Sequence, residues 1–150
     1  MGMSFTEGDI FVAEAQVIGI GLNAAGHSEV TPFFTALADR YPVFVSEYRR
    51  RGRAQTLTPG DLWLWRDSQP WLMGMIVRDI PQGATRLRYV EAAVLNLYKN
   101  WEIEGVRSLA IMRLAEGAEW LPARGILEYY LGNIPLPVMV FESYLPHSAG

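Results

Sequence analysis

The sequence predicts an α/β fold: a three-layer α/β/α sandwich with a mixed central sheet. Three observations carry this. Short continuous apolar runs at residues 16–22, 106–114 and 136–141 read as strands buried on both faces. Segments with helical periodicity alternate with them, as a sheet covered on both sides requires. Two apolar runs near residues 61–65 and 71–77, joined by a polar turn at 67–70, read as an antiparallel hairpin that makes the sheet mixed.

The elements follow in order. Residues 16–22 read Q-V-I-G-I-G-L, β-branched and apolar, with glycines that permit close backbone approach. The chain turns after Asn23 and Gly26. Pro32 suits the first position of a short helix over 33–39. A second helix is expected over 43–51, stopping at Gly52. Thr58, Pro59 and Gly60 form a turn before the hairpin. The strongest helical pattern spans 86–101, where Leu87, Val90, Val94, Leu97 and Trp101 recur every three or four residues and share one face. Thr85 is its expected N-cap and Gly105 its stop. A strand over 106–114, a helix over 120–131 ended by Gly132 and Asn133, and a strand over 136–141 complete the chain.

Composition bounds the chemistry. The 150 residues are 50% hydrophobic, carry 19% charged side chains and have a formal net charge of -3. Such a chain buries roughly 70% of its unfolded surface in one core without staples. It is too apolar for a disordered segment, and its overall charge is not that of a nucleic-acid binder. The absence of cysteine excludes thiol nucleophiles, thiolate metal sites and disulfides. With two histidines only, His27 and His147, no metal site or cofactor is expected. The N-terminus lacks a secretory pattern, and no run approaches the ~20 apolar residues of a membrane span. The default compartment is therefore the cytoplasm, with no membrane partner. One domain is expected over residues 1–145, with 146–150 as a frayed tail.

Several strings, in order, resemble the macro domain family. These are Gly8-Asp9-Ile10, then the apolar run ending in Asn23-Ala24-Ala25-Gly26, Tyr41-Pro42 with Tyr48, Pro59-Gly60-Asp61 before a strand, and Ser108-Leu109-Ala110-Ile111 after the long helix. The resemblance covers about residues 7–144 and is nearest to the branch of DNA ADP-ribosyl glycohydrolases. It implies a macro-like fold opening with a strand before Gly8, and a cleft that binds ADP-ribose or an ADP-ribosylated macromolecule. Residue by residue, it implies that Asp9 accepts from the adenine amino group, with Ile10 backing the ring. Asn23 would reach the distal ribose, and Gly26 and Gly117 would belong to the phosphate-side loops. Phe141, with Tyr144 as the alternative, would lie under the adenine. Removal of ADP-ribose from a nucleic acid or protein is the activity so implied.

The chain also departs from the family's pattern. Its first loop continues His27-Ser28-Glu29 where glycines would cradle phosphate. Its second, Leu114 to Trp120, keeps Gly117 and gains Glu116 and Glu119. Ile20 replaces one of the branch's two asparagines. The branch's catalytic lysine has no match in residues 77–82, where Arg78 stays protonated and is no nucleophile. No catalytic residue is assigned. The alternative is an inactive macro-like module used for protein interaction or self-association. A further reading pairs His27 with Glu116 or Glu119 as acid and base, against solvated loop residues. Trp63, Trp65 and Trp71 offer an aromatic shelf, core packing or a homodimer surface. Arg49, Arg50, Arg51 and Arg53 offer contact to nucleic-acid phosphates, against a solvated helix C-terminus.

Overall fold

The computed structural model describes residues 2–147. Six strands and four α-helices follow one another within them: β1 (Met3–Gly8), β2 (Val17–Asn23), α1 (Pro32–Arg40), α2 (Pro42–Arg53), β3 (Leu62–Trp65), β4 (Trp71–Arg78), α3 (Leu87–Asn100), β5 (Leu109–Met112), α4 (Trp120–Leu131) and β6 (Val138–Tyr144). The strands form one sheet in the order β1-β6-β5-β2-β4-β3. Every pairing is parallel except the β3–β4 hairpin at the edge.

Side-chain alternation along each strand divides the core in two. Val17, Met73, Met75, Leu109, Ile111, Val138 and Val140 point to the face covered by α3 and α4. Ile18, Ile20, Leu22, Leu72, Ile76, Ala110 and Phe141 point to the face covered by α1 and α2. The sandwich is therefore three-layered and its sheet mixed, as expected. Ile20, at the place of the missing asparagine, is simply core.

Local chemistry explains where the elements depart from the sequence expectations. Thr31 caps α1 by accepting the Phe34 N–H, with Pro32 in the first turn. Gly52 does not stop α2, which runs on to Arg53. Its role is close approach instead. A Cβ at Gly52 would stand 2.2 Å from the Ala25 carbonyl oxygen, and one at Gly26 would stand 2.7 Å from the Gly52 α-carbon. Thr85 does not cap α3: the N-cap is Arg86, without a side-chain bond, and the Thr85 hydroxyl turns to the Leu114 carbonyl. Leu87 is exposed, so the buried face of α3 is Val90, Ala93, Val94 and Leu97. The strand expected over 106–114 shortens to Leu109–Met112. Residues before it are engaged by Gln16, whose backbone N–H donates to Ser108 Oγ and whose side-chain oxygen accepts the Arg107 N–H. The last strand runs on to Tyr144. No helix among the described residues is long and apolar enough to cross a membrane.

The connections position a crevice. β2 leaves through α1 and α2 on one face, whereas β4 leaves through α3 on the other. Where connections diverge like this, the space beyond the carboxyl ends of the strands stays open.

Candidate functional site

A cleft of about 530 Å³ occupies that position. It is lined from β6 by Tyr144, from β2 by Gly21, from the loops after β4 and β5 by Thr85 and Arg113, and from the loop before α1 by Glu29. Arg78, the last residue of β4, also faces it. Strand order fixes the layout: one end belongs to β1 and β6, the middle to β5 and β2, the far end to β4. Four interstrand steps separate the ends, about 19 Å at the usual spacing.

At the β1–β6 end, Asp9 is 8% exposed. One carboxylate oxygen accepts the Phe11 N–H at 2.9 Å and caps a 3-10 turn over Ile10–Val12. The other accepts the His147 N–H at 2.9 Å. The segment that makes this bond also pairs Leu145 N–H with the Gly8 carbonyl. Within the tail expected over 146–150, His147 is thus held to Asp9; residues 148–150 lie outside the described residues. Ile10 is fully buried beside Asp9. Tyr144 stands over an aromatic group in which Phe11 stacks on Phe33 at 5.4 Å. Burial, and then the Asp9 charge, raise the Tyr144 phenol above its ordinary value. Of the two aromatic candidates, Tyr144 lines the cleft, whereas Phe141 is core with its ring under Gly8.

At the far end, a register shift between Leu22 and Asn23 pairs Asn23 with Arg78. Such a bulge re-aims the side chains that follow. Asn23 is fully buried. Its amide nitrogen donates to the His27 carbonyl at 3.0 Å and to Glu29 at 3.1 Å, and its oxygen accepts the His27 N–H at 3.2 Å. The Tyr48 hydroxyl closes the arrangement by accepting from Asn23 N–H and donating to Asn23 C=O, both at 3.0 Å. Asn23 therefore builds the loop, and the group that the loop presents to the cleft is Glu29. The other Glu29 oxygen meets Arg78 at 3.4 Å, with side chains only 18% and 14% exposed. Arg78 also touches Thr85 at 3.4 Å. The acid in the first loop is thus neutralised rather than turned away.

In the middle, Arg113 pairs with Glu116 at 2.7 Å. Glu119 lines the cleft with no hydrogen bond or ion pair among the described residues. Gly26 packs on Gly52, and Gly117 takes a left-handed φ of 59° with open space around it. Neither glycine lines the cleft. His27 does not line it either, but borders shallow grooves with Arg53, so it is not brought together with Glu116 and Glu119. No group of three or more candidate metal-ligating acids or histidines occurs among the described residues.

The other groups singled out from the sequence resolve simply. Trp63 is core, stacked on Phe44 at 4.6 Å with Trp65 edge-on, and forms no shelf. Arg50 and Arg51 are held by Glu47, whose carboxyl the two guanidiniums lower to about 2. Arg51 also lies over Trp63, while Arg49 reaches Ser28. Arg113 and Thr85 were not legible as site residues. The one signal was the opposite charge three residues apart in Arg113 and Glu116, which looks like any surface pair.

No family model matches the sequence, and no curated protein does. Solved structures do match. The macrodomain of Thermus aquaticus DarG aligns with a TM-score of 0.83 at 18% identity, over 93% of this chain and 97% of that one. The macrodomain of Mycobacterium tuberculosis DarG aligns at 0.82 and 16% identity, over 97% and 98%. Thermosipho africanus DarTG, solved in complex with ADP-ribose, aligns at 0.86 and 19% identity, over 97% of this chain but 42% of that protein.

Proposed function

We propose that this chain, which has the macro domain fold, binds ADP-ribose or a related nucleotide in the cleft across its strand ends. One observation carries the reading. An open cleft lies beyond the carboxyl ends of the parallel strands, in a fold that 97% of the chain shares with a protein solved with ADP-ribose. Tyr144 and Phe33 line it and supply a face for a base, and Asp9, which does not line the cleft but lies near enough for its charge to act on the Tyr144 phenol, supplies a buried acceptor for an exocyclic amine. Titration with ADP-ribose, with Asp9→Asn as the control, tests the reading.

A second reading has a specific observation behind it. Both Asp9 oxygens and the whole Asn23 amide are already spent within the chain. An interaction module that has lost its ligand has this property. A binding protein has it too if the His147 N–H holds the place of the incoming amine. His147→Pro deletes that N–H. It raises ADP-ribose affinity under the binding reading and changes nothing under the other.

Hydrolysis, releasing ADP-ribose from a nucleic acid or protein, would need a carboxylate to take a proton from water. Glu29 is held by Arg78 in a mostly buried pair and the Glu116 side chain lies largely in solvent, which leaves Glu119. Release measured on an ADP-ribosylated substrate is expected to vanish in Glu119→Gln. Undiminished release in that variant would remove Glu119 from the reaction.

A further inference from the structure

We propose that Arg113 anchors the diphosphate of the ligand and that Glu116 is a built-in competitor which holds Arg113 until the ligand arrives. The proposal rests on the ADP-ribose reading and deepens it.

Position comes first. A ligand with its base at the Tyr144 end and its second sugar at the Arg78–Thr85 end must lay its phosphates across the middle strands. Those strands, β2 and β5, bring Gly21 and residues 112–116 to the cleft.

Charge comes second. A diphosphate brings about two negative charges into a cleft that already holds Glu29, Glu116 and Glu119. Gly26 and Gly117 do not line it, and the glycines that do, Gly21 and Gly83, come singly from different segments, so no glycine-rich backbone cradle is at hand. Two cations line the cleft, Arg78 and Arg113. Arg78 belongs to the far end and to a mostly buried network with Glu29, Asn23 and Thr85. Arg113 is the one over the middle.

Availability comes third. The Arg113 backbone is fixed, because its N–H donates to the Phe141 carbonyl at 2.9 Å. Its side chain is 29% exposed, but the Glu116 side chain that holds it is 79% exposed. A pair this open to water is weak and easily exchanged. A phosphate offers the same two-point acceptance with more charge, so it wins the guanidinium. Glu116 then swings into solvent.

The test is titration of adenosine, ADP and ADP-ribose into the wild-type chain, Arg113→Gln and Glu116→Gln. Both variants change side chains at the cleft rim, and circular dichroism checks that they fold. Arg113→Gln is expected to weaken ADP and ADP-ribose about tenfold or more and to leave adenosine unchanged. Its affinity should also depend less steeply on salt. Glu116→Gln is expected to strengthen the same two ligands about two- to fivefold, again sparing adenosine. A merely structural pair would not gain on losing its acid. Weaker ADP binding in Glu116→Gln, or equal loss of adenosine and ADP in Arg113→Gln, overturns the proposal. Wild-type binding of ADP-ribose that survives Arg113→Gln overturns it alone and leaves the ADP-ribose reading standing. A folded wild-type chain that binds none of the three overturns both.

Discussion

Asn23 shows how far a single residue can be read from sequence. Its position at the end of an apolar run was legible, because a strand followed by Asn and Gly marks a turn. Its partners were not, since they come from a loop and from a helix two elements away. The hydroxyl of Tyr48, fully buried, serves both backbone groups of Asn23. Tyr48→Phe leaves that N–H and C=O buried without partners and should cost about 1–3 kcal/mol near neutral pH. The same site sets a pH dependence. Burial pushes the Tyr48 phenol well above its ordinary value of about 10. The folded chain then keeps a proton that the unfolded chain has lost, so this contribution is fully present below pH 10 and falls away as pH rises beyond it. Urea denaturation near neutral pH and above pH 10 should give a steeper alkaline loss for the wild type than for Tyr48→Phe. Parallel losses would remove Tyr48 from the account. Asp9 carries the complementary lesson: the resemblance implies an acceptor role, whereas one of its oxygens caps the turn that follows and the other is occupied by a backbone N–H of its own chain.

At the scale of elements, periodicity was a good guide where one face packs on a sheet. α3 lies where its apolar spacing puts it, α4 ends at Leu131 before Gly132 as expected, and the hairpin pairs as its turn predicts. Termini fared worse, because they are settled by contacts remote in sequence. Gly52 is the clearest case. A glycine after a basic run reads as a helix stop, but α2 continues through it because the α-carbon of Gly26 and the carbonyl of Ala25 press against that turn. The two effects of Gly52→Ala can be weighed. Inside a helix the change normally gains about 1 kcal/mol. Here the new Cβ would meet backbone at 2.2 Å, which cannot swing aside as a side chain would. Overpacking of this kind costs about 1–3 kcal/mol or more, so net destabilisation is expected, read as a lower denaturation midpoint. A midpoint equal to or above the wild type would show that the loop and α2 are not in this contact. The first strand is a different case: its sequence is too short and too polar to stand out, and pairing with β6 makes it a strand.

For the molecule as a whole, the layer architecture was legible because apolar runs and helical stripes alternate, and that alternation has few solutions. The cleft was legible only as a place. The charges that line it come from three separate segments; the sheet order brings Arg78 to Glu29, whereas Arg113 meets Glu116 within one loop. The result is a macro fold whose cleft is walled largely by paired side chains, with Gly26 and Gly117 outside its lining. We propose that this cleft takes ADP-ribose, with Asp9 as the buried acceptor beside its β1–β6 end. Calorimetric titration of ADP-ribose into the wild-type chain and Asp9→Asn tests this most directly. Asparagine keeps one oxygen for the Phe11 N–H but turns a donor toward the ligand amine. The account predicts saturable heat for the wild type and a loss of about tenfold or more in affinity for the variant. No heat from folded wild-type protein at millimolar ligand, or equal affinity in Asp9→Asn, would contradict it.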